Sequence, residues 1–127
     1  MMNININDFR ATQYEGYLVN ADGDVISIKG KEPKLLHQWE RHGYKRVTLW
    51  ENGKKINISV HRLVATAFID NPDPNTYTEI NHKDENKTNN NVNNLEWCTH
   101  IYNLNYGTRN LKHSIAMKKY WKQRKAV

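Results

Sequence analysis

EINHKDENKTNNNVNNLEWCTH, residues 79–100, is the stretch whose reading decides the fold. Seven of the fourteen residues from Asn81 to Asn94 are asparagine. Asparagine side chains bond to nearby backbone and tolerate left-handed conformations, so composition alone reads as a long polar loop held by local hydrogen bonds. Its ends say more. Ile80 lies before Asn81-His82, and Leu95-Glu96-Trp97 follows Asn94, so apolar anchors bracket the loop as two short strands. If those strands pair, Asn81 and His82 at the end of one meet Asn94 at the start of the other. Thr99 can cap a helix that carries Ile101, Asn103 and Leu104 and stops at Gly107, which brings Asn103 to the same spot. One histidine and three amides then converge. A neutral imidazole takes a proton from water near neutral pH, and amide oxygens are hard ligands suited to magnesium or manganese. A base beside a hard cation is equipped to hydrolyse a phosphodiester.

Upstream of the loop, Ser59 can cap a helix whose apolar residues Val60, Leu63, Val64, Ala67 and Phe68 follow helical spacing. It must stop near Asn71-Pro72-Asp73-Pro74, because proline has no N–H to donate. Two hairpins precede it. In YEGYLVNADGDVISIKG, Tyr17 and Val19 alternate before a turn at Asp22-Gly23, and Val25-Ile26-Ser27-Ile28 follow. In KRVTLWENGKKINISV, Val47 and Leu49 face Ile56, Ile58 and Val60 across Asn52-Gly53, a pair suited to the type I′ turn. Between the hairpins, KLLHQWERHGY reads either as a further strand ending at Gly43 or as a short helix.

A chain of 127 residues accommodates one domain with a core. One cysteine, Cys98, permits no internal disulfide and no CxxC zinc knuckle, which fits an intracellular protein. No segment approaches membrane-spanning length, and the start alternates apolar and polar residues, so neither membrane insertion nor export is expected. The formal charge of +6 is localised: Arg109 to Val127 holds seven basic residues and no acidic one, and the rest of the chain has twelve basic against thirteen acidic. Those seven, Arg109, Lys112, Lys118, Lys119, Lys122, Arg124 and Lys125, interleave with Tyr120 and Trp121 in a segment free of helix breakers, which reads as a basic C-terminal helix. Charge so distributed points to a polyanionic partner, most simply nucleic acid.

VHRLVATAF (60–68), INHKDENKTNN (80–90), NNLEW (93–97) and Tyr102-Asn103 together resemble the HNH nuclease motif, in the branch of phage and intron-encoded homing endonucleases. YEGYLVNADGDVISI resembles the β-rich module that often precedes it. The resemblance runs from about Phe9 to Tyr106 and implies an α+β fold: antiparallel hairpins and a helix over 1–70, the ββα-metal motif over 71–108, and the basic tail over 109–127. It implies that His82 is the general base, that Asn81 and Asn103 hold one divalent cation (Mg²⁺ or Mn²⁺), and that Asn94 holds the loop and orients His82 through its backbone. Some relatives have aspartate before the base. Here both ligand positions are neutral, so a scissile phosphate is needed to complete the site.

The implied activity is endonucleolytic cleavage of double-stranded DNA, by a cytoplasmic enzyme encoded by a phage or an intron. A single site nicks one strand, and two copies would be needed for a double cut, which leaves monomer and homodimer open. Arg62 projects differently from the core residues of its helix and is a candidate phosphate contact beside the tail. The alternatives are a DNA-binding module with an inactive site, favoured by the neutral ligand pair, and a nuclease component of a phage packaging complex. His61 reads as a structural histidine at a helix start, and His100 as a local hydrogen-bonder. A zinc site from His82, Cys98, His100 and His113 matches no structural zinc spacing.

Overall fold

The computed structural model describes residues 4–107 and contains an antiparallel sheet of strands β1 (Phe9–Ala11), β2 (Tyr17–Asn20), β3 (Val25–Ser27) and β4 (Lys34–Leu35), in that spatial order. A second sheet joins β5 (Trp39–Arg41), β6 (Tyr44–Glu51) and β7 (Lys54–Ser59). Helix α1 (Val60–Phe68) follows, then the paired strands β8 (Glu79–His82) and β9 (Leu95–Cys98), and helix α2 (His100–Asn105). Antiparallel sheets with two helices make this an α+β fold.

Both hairpins expected from the sequence form, with Val19 opposite Val25 and Leu49 opposite Ile56. Asn52 and Gly53 both have positive φ, 53° and 75°, as the type I′ turn requires. The segment left open between strand and helix contains two short strands, β4 and β5. His42 and Gly43, also at positive φ, close β5 onto β6 in a further two-residue turn.

Alternation sends Val47 and Leu49 inward and leaves Trp50 half exposed. The inward residues meet α1, which packs against strands of all three sheets. Val60, Leu63, Val64 and Ala65 of α1 are fully buried, and Tyr17, Val19, Val25, Ile80 and Leu95 join them in one core. The valine, leucine and isoleucine side chains among them contribute roughly 1.5–3 kcal/mol each on burial. Tyr17 also ties the first sheet to the second, since its hydroxyl accepts from the Trp50 N–H at 2.8 Å. The expected cap is positional only: Ser59 stands at the N-cap of α1, but its side chain makes no capping bond. Ser59 is the last residue of β7, paired with Arg46, and strand geometry fixes its side-chain direction.

Pairing of β8 with β9 sets Ile80 opposite Trp97 and His82 opposite Leu95. Trp97 lies under the loop and donates its indole N–H to the Ile69 carbonyl at 3.0 Å. Thr99 caps α2 by accepting from the Tyr102 N–H. Among the described residues no apolar face holds this helix, for Ile101 and Leu104 are exposed. Polar tethers hold it instead: Asn103 and His100 both bond Glu79, and the Tyr106 hydroxyl donates to the Lys83 carbonyl.

Candidate active site

The asparagines have divided labour. Asn94 closes the loop: its carbonyl accepts from the Lys83 N–H, its side-chain oxygen accepts from the Asp84 N–H, and its amide nitrogen donates to Asp84 and to the Asn89 carbonyl. Asn89 donates to the other oxygen of Asp84, and the Asn86 N–H donates to Asp84 as well. These donors, Asn89 foremost, hold the exposed Asp84 carboxyl below its ordinary range. Asn91 accepts from the Asn93 N–H at the start of a short 3-10 turn. Local side-chain-to-backbone bonding thus accounts for most of the asparagine load.

Two asparagines do something else. Asn81 is buried at the end of β8 and donates its amide nitrogen to Glu96 Oε2 at 2.8 Å. Asn103 donates its amide nitrogen to Glu79 Oε1 at 2.9 Å. A carboxylate accepts and cannot donate, so each glutamate turns the amide nitrogen towards itself and leaves the amide oxygen as the outward atom. Both asparagines and His82 line one cleft of about 320 Å³. Among the described residues no group of three His, Cys, Asp or Glu side chains could hold a metal. The amide oxygens of Asn81 and Asn103 are hard, neutral donors, a type that would suit a hard ion such as magnesium or manganese.

His82 is buried, and its Nε2 lies 2.8 Å from the side-chain oxygen of Asn90, itself buried. Burial lowers the His82 pKa, opposed by the Asn90 bond and by the Asp84 charge. The imidazole is therefore neutral at neutral pH, the form a general base needs. Asn94 holds the backbone beside His82, whereas the side chain that holds the ring is Asn90. Nothing in the sequence distinguishes Asn90 within the run Asn89-Asn90-Asn91.

Tyr44, Ile80, Glu85, Lys87 and Tyr106 complete the cleft wall. Lys87 carries its ammonium 4.8 Å from the Tyr44 ring, where a phosphate in the cleft would be met by a positive charge. Sequence reading singled out neither Lys87 nor Tyr44. A lysine within the loop itself was the available signal, and Tyr44 had none, because a hairpin 38 residues upstream of His82 brings it there.

His61 packs edge-on against His82, with ring centroids 5.1 Å apart, and Tyr44 lies 5.2 Å from His61. Burial, then the neighbouring His82, Arg62 and Arg46, push its pKa down to about 3, and its Nδ1 is buried with no hydrogen-bond partner among the described residues. A histidine depressed from an unfolded value near 6.5 stabilises the fold above that pH, and this contribution is lost as pH falls towards the folded value. Acidification from neutrality to about pH 5 is expected to cost roughly 2 kcal/mol through His61 alone. His61→Phe, which keeps the ring packing and removes the titration, should flatten the fall in melting temperature over that range. An unchanged fall would assign the acid sensitivity elsewhere.

Arg62 is half-buried on α1, outside the cleft wall. Arg109, Lys112, Lys118, Lys119, Lys122, Arg124 and Lys125 lie outside the described residues, as does His113. His100 bonds Glu79, the carboxylate that also holds Asn103. Cys98 is buried, and burial raises its thiol pKa to about 11. Among the described residues no helix is long and apolar enough to cross a membrane.

No family model matches the chain. It is 41% identical over 92 residues to the DNA endonuclease I-HmuI of Bacillus phage SP01, covering 72% of this chain and 51% of that protein. It is 43% identical over 91 residues to an uncharacterised HNH endonuclease of Acanthamoeba polyphaga mimivirus, covering 69% of this chain and 26% of that one. Its fold matches the solved structure describing DNA binding and cleavage by the HNH homing endonuclease I-HmuI. The TM-score is 0.66 at 33% identity, over 87% of this chain and 59% of the other. The chain thus spans about a quarter to a half of the length of these curated relatives.

Proposed function

The chain belongs to the HNH endonuclease family, and from that premise we propose that it hydrolyses phosphodiester bonds of double-stranded DNA, one strand per site, with one magnesium or manganese ion. The observation that carries this reading is the convergence of a neutral, buried His82 with two carboxylate-anchored amides on one cleft.

In this reading His82 removes a proton from the attacking water through the ring nitrogen not bonded to Asn90. The Asn81 and Asn103 side-chain oxygens would hold the cation, and Glu96 and Glu79 fix their direction. When bound, the cation supplies charge that polarises the phosphoryl oxygen and stabilises the leaving 3′ oxygen. Lys87 faces the phosphate from the Tyr44 side of the cleft. Because both protein ligands are neutral, the DNA phosphate is itself a main source of negative charge at the site.

Incubating the protein with supercoiled plasmid and magnesium or manganese tests the reading. Relaxed circles are expected. A gel shift without cleavage would favour the binding-module alternative, for which the neutral ligand pair speaks.

The ligands give a sharper expectation. Asn103→Ala should abolish metal-dependent nicking. Asn81→Asp adds charge where it would tighten a cation, but it also sets a second carboxylate against Glu96, whose oxygen accepts from Asn81 at 2.8 Å. Pairing it with Glu96→Gln restores a donor at that contact. The double variant should bind manganese roughly tenfold or more tightly than the parent in the absence of DNA, and Asn81→Asp alone should gain less. Manganese titration followed by paramagnetic relaxation reads both. Equal affinity in the parent and the double variant would remove Asn81 from the ligand set.

A further inference from the structure

The Asn20–Asp24 turn belongs to the N-terminal hairpin, yet it is built against the loop that carries His82. Its own geometry is fixed first: the Asn20 side-chain oxygen accepts from the N–H groups of Asp22 and Asp24, at 3.1 and 2.7 Å, and its amide nitrogen donates to the Asp24 carboxylate. The turn then docks on residues 90–92. The Val92 N–H donates to the Ala21 carbonyl at 2.8 Å, and the Asn91 amide nitrogen donates to the Asp22 carboxylate at 2.8 Å. The Gly23 carbonyl is held from the other side by the Gln38 amide at 2.7 Å.

Between those two bonds to the loop, Gly23 lies directly against Asn90. A Cβ on Gly23 would come 3.0 Å from the Asn90 Cβ and 3.4 Å from a Val60 methyl, and the Gly23 φ of +91° disfavours any side chain there. Asn90 is thereby confined between the turn and the His82 ring, and both Asn90 and His82 are buried. An amide oxygen only accepts, so the 2.8 Å contact places the imidazole proton on Nε2 and leaves the Nδ1 lone pair as the basic site.

We propose that Asn90 is a positioning residue for His82, and that the Asn20–Asp24 turn holds Asn90 in place, so that the N-terminal hairpin is a working part of the cleavage site. Loops that must present a base with fixed orientation need a rigid support, and here the support comes from a hairpin about seventy residues earlier in the chain. The proposal rests on His82 being the base, but its geometry can be read without cleavage.

The test uses the full chain and two readouts. A hydrogen-bonded imidazole N–H shielded from water exchanges slowly, so the parent should show a downfield Nε2–H proton resonance assigned to His82. Asn90→Ala should lose that resonance and nick plasmid roughly 10- to 100-fold more slowly at saturating DNA, with DNA affinity unchanged. Asn90→Asp, isosteric and still an acceptor, should restore the resonance and most of the rate. Gly23→Ala should broaden or shift the resonance and slow nicking although Gly23 does not line the cleft. Asp22→Ala, which removes only the exposed bond to Asn91, is the milder variant should Gly23→Ala not fold. Retention of both the resonance and the parental rate in Asn90→Ala overturns the positioning role, and retention of both in the turn variants overturns the hairpin's part. If the parent does not cut DNA, the function proposed above fails, and the resonance alone still decides the positioning.

Discussion

His82→Ala is expected to slow plasmid nicking by roughly 10² to 10⁴, the loss that follows removal of a general base. Affinity for uncleaved DNA should stay near the parental value, because in the proposed mechanism His82 acts on water and contributes no charge to the bound duplex at neutral pH. Stability should fall. The imidazole is buried, packs edge-on against His61 and satisfies Asn90, and its removal leaves the Asn90 oxygen without its partner at a cost of roughly 1–3 kcal/mol. Rates must therefore be compared below the melting transition of the variant. Free imidazole at high concentration should restore part of the activity, since the truncation leaves a ring-sized space beside the cleft. A folded variant that cuts within a few-fold of the parent would exclude His82 as the base.

The difference between His82 and Asn90 shows which part of the site the sequence carries. His82 is the lone histidine of a loop bracketed by Ile80 and Leu95, and strand pairing alone brings it beside the Asn94 backbone. Asn103 is likewise legible, because a helix capped at Thr99 has one amide at that height. Asn90 is not legible, being one of three consecutive asparagines whose roles are separated only by packing against a distant turn. Glu79 and Glu96 were hidden for a related reason. Each lies on a recognised strand, but its service to Asn103 or Asn81 depends on the β8–β9 register. Periodicity located the elements well where one face is buried, as in β6, β7 and α1, and left the half-exposed segment at 34–41 ambiguous because it has no clean alternation. In α2 the apolar residues misdescribe the attachment, since Ile101 and Leu104 are exposed and carboxylates hold the helix.

Deleting Arg109 to Val127 should separate DNA affinity from folding more sharply than any substitution within the described residues. The deletion removes seven basic residues and no acidic one, so a formal charge of +6 becomes one in which thirteen acidic residues face twelve basic. Association with duplex DNA releases condensed counterions, and log K falls against log salt by about 0.9 for each phosphate neutralised. If about four to six of the seven cations meet phosphates, the truncated chain should show a slope shallower by roughly 4 to 5, with its largest loss of affinity at low salt. Tyr120 and Trp121 would add stacking or packing, but neither changes the salt slope. The melting transition should move little, because among the described residues the buried side chains from Tyr17 to Leu95 already join the sheets to α1 in one core. Such a result would place the electrostatic grip in the tail and leave the cleft, with Lys87 in its wall, to position the scissile phosphate. A truncated protein that melts like the parent and keeps the full salt slope would instead assign the grip to the basic residues of the β-rich half, Arg62 among the candidates, and the tail would play no part in holding DNA.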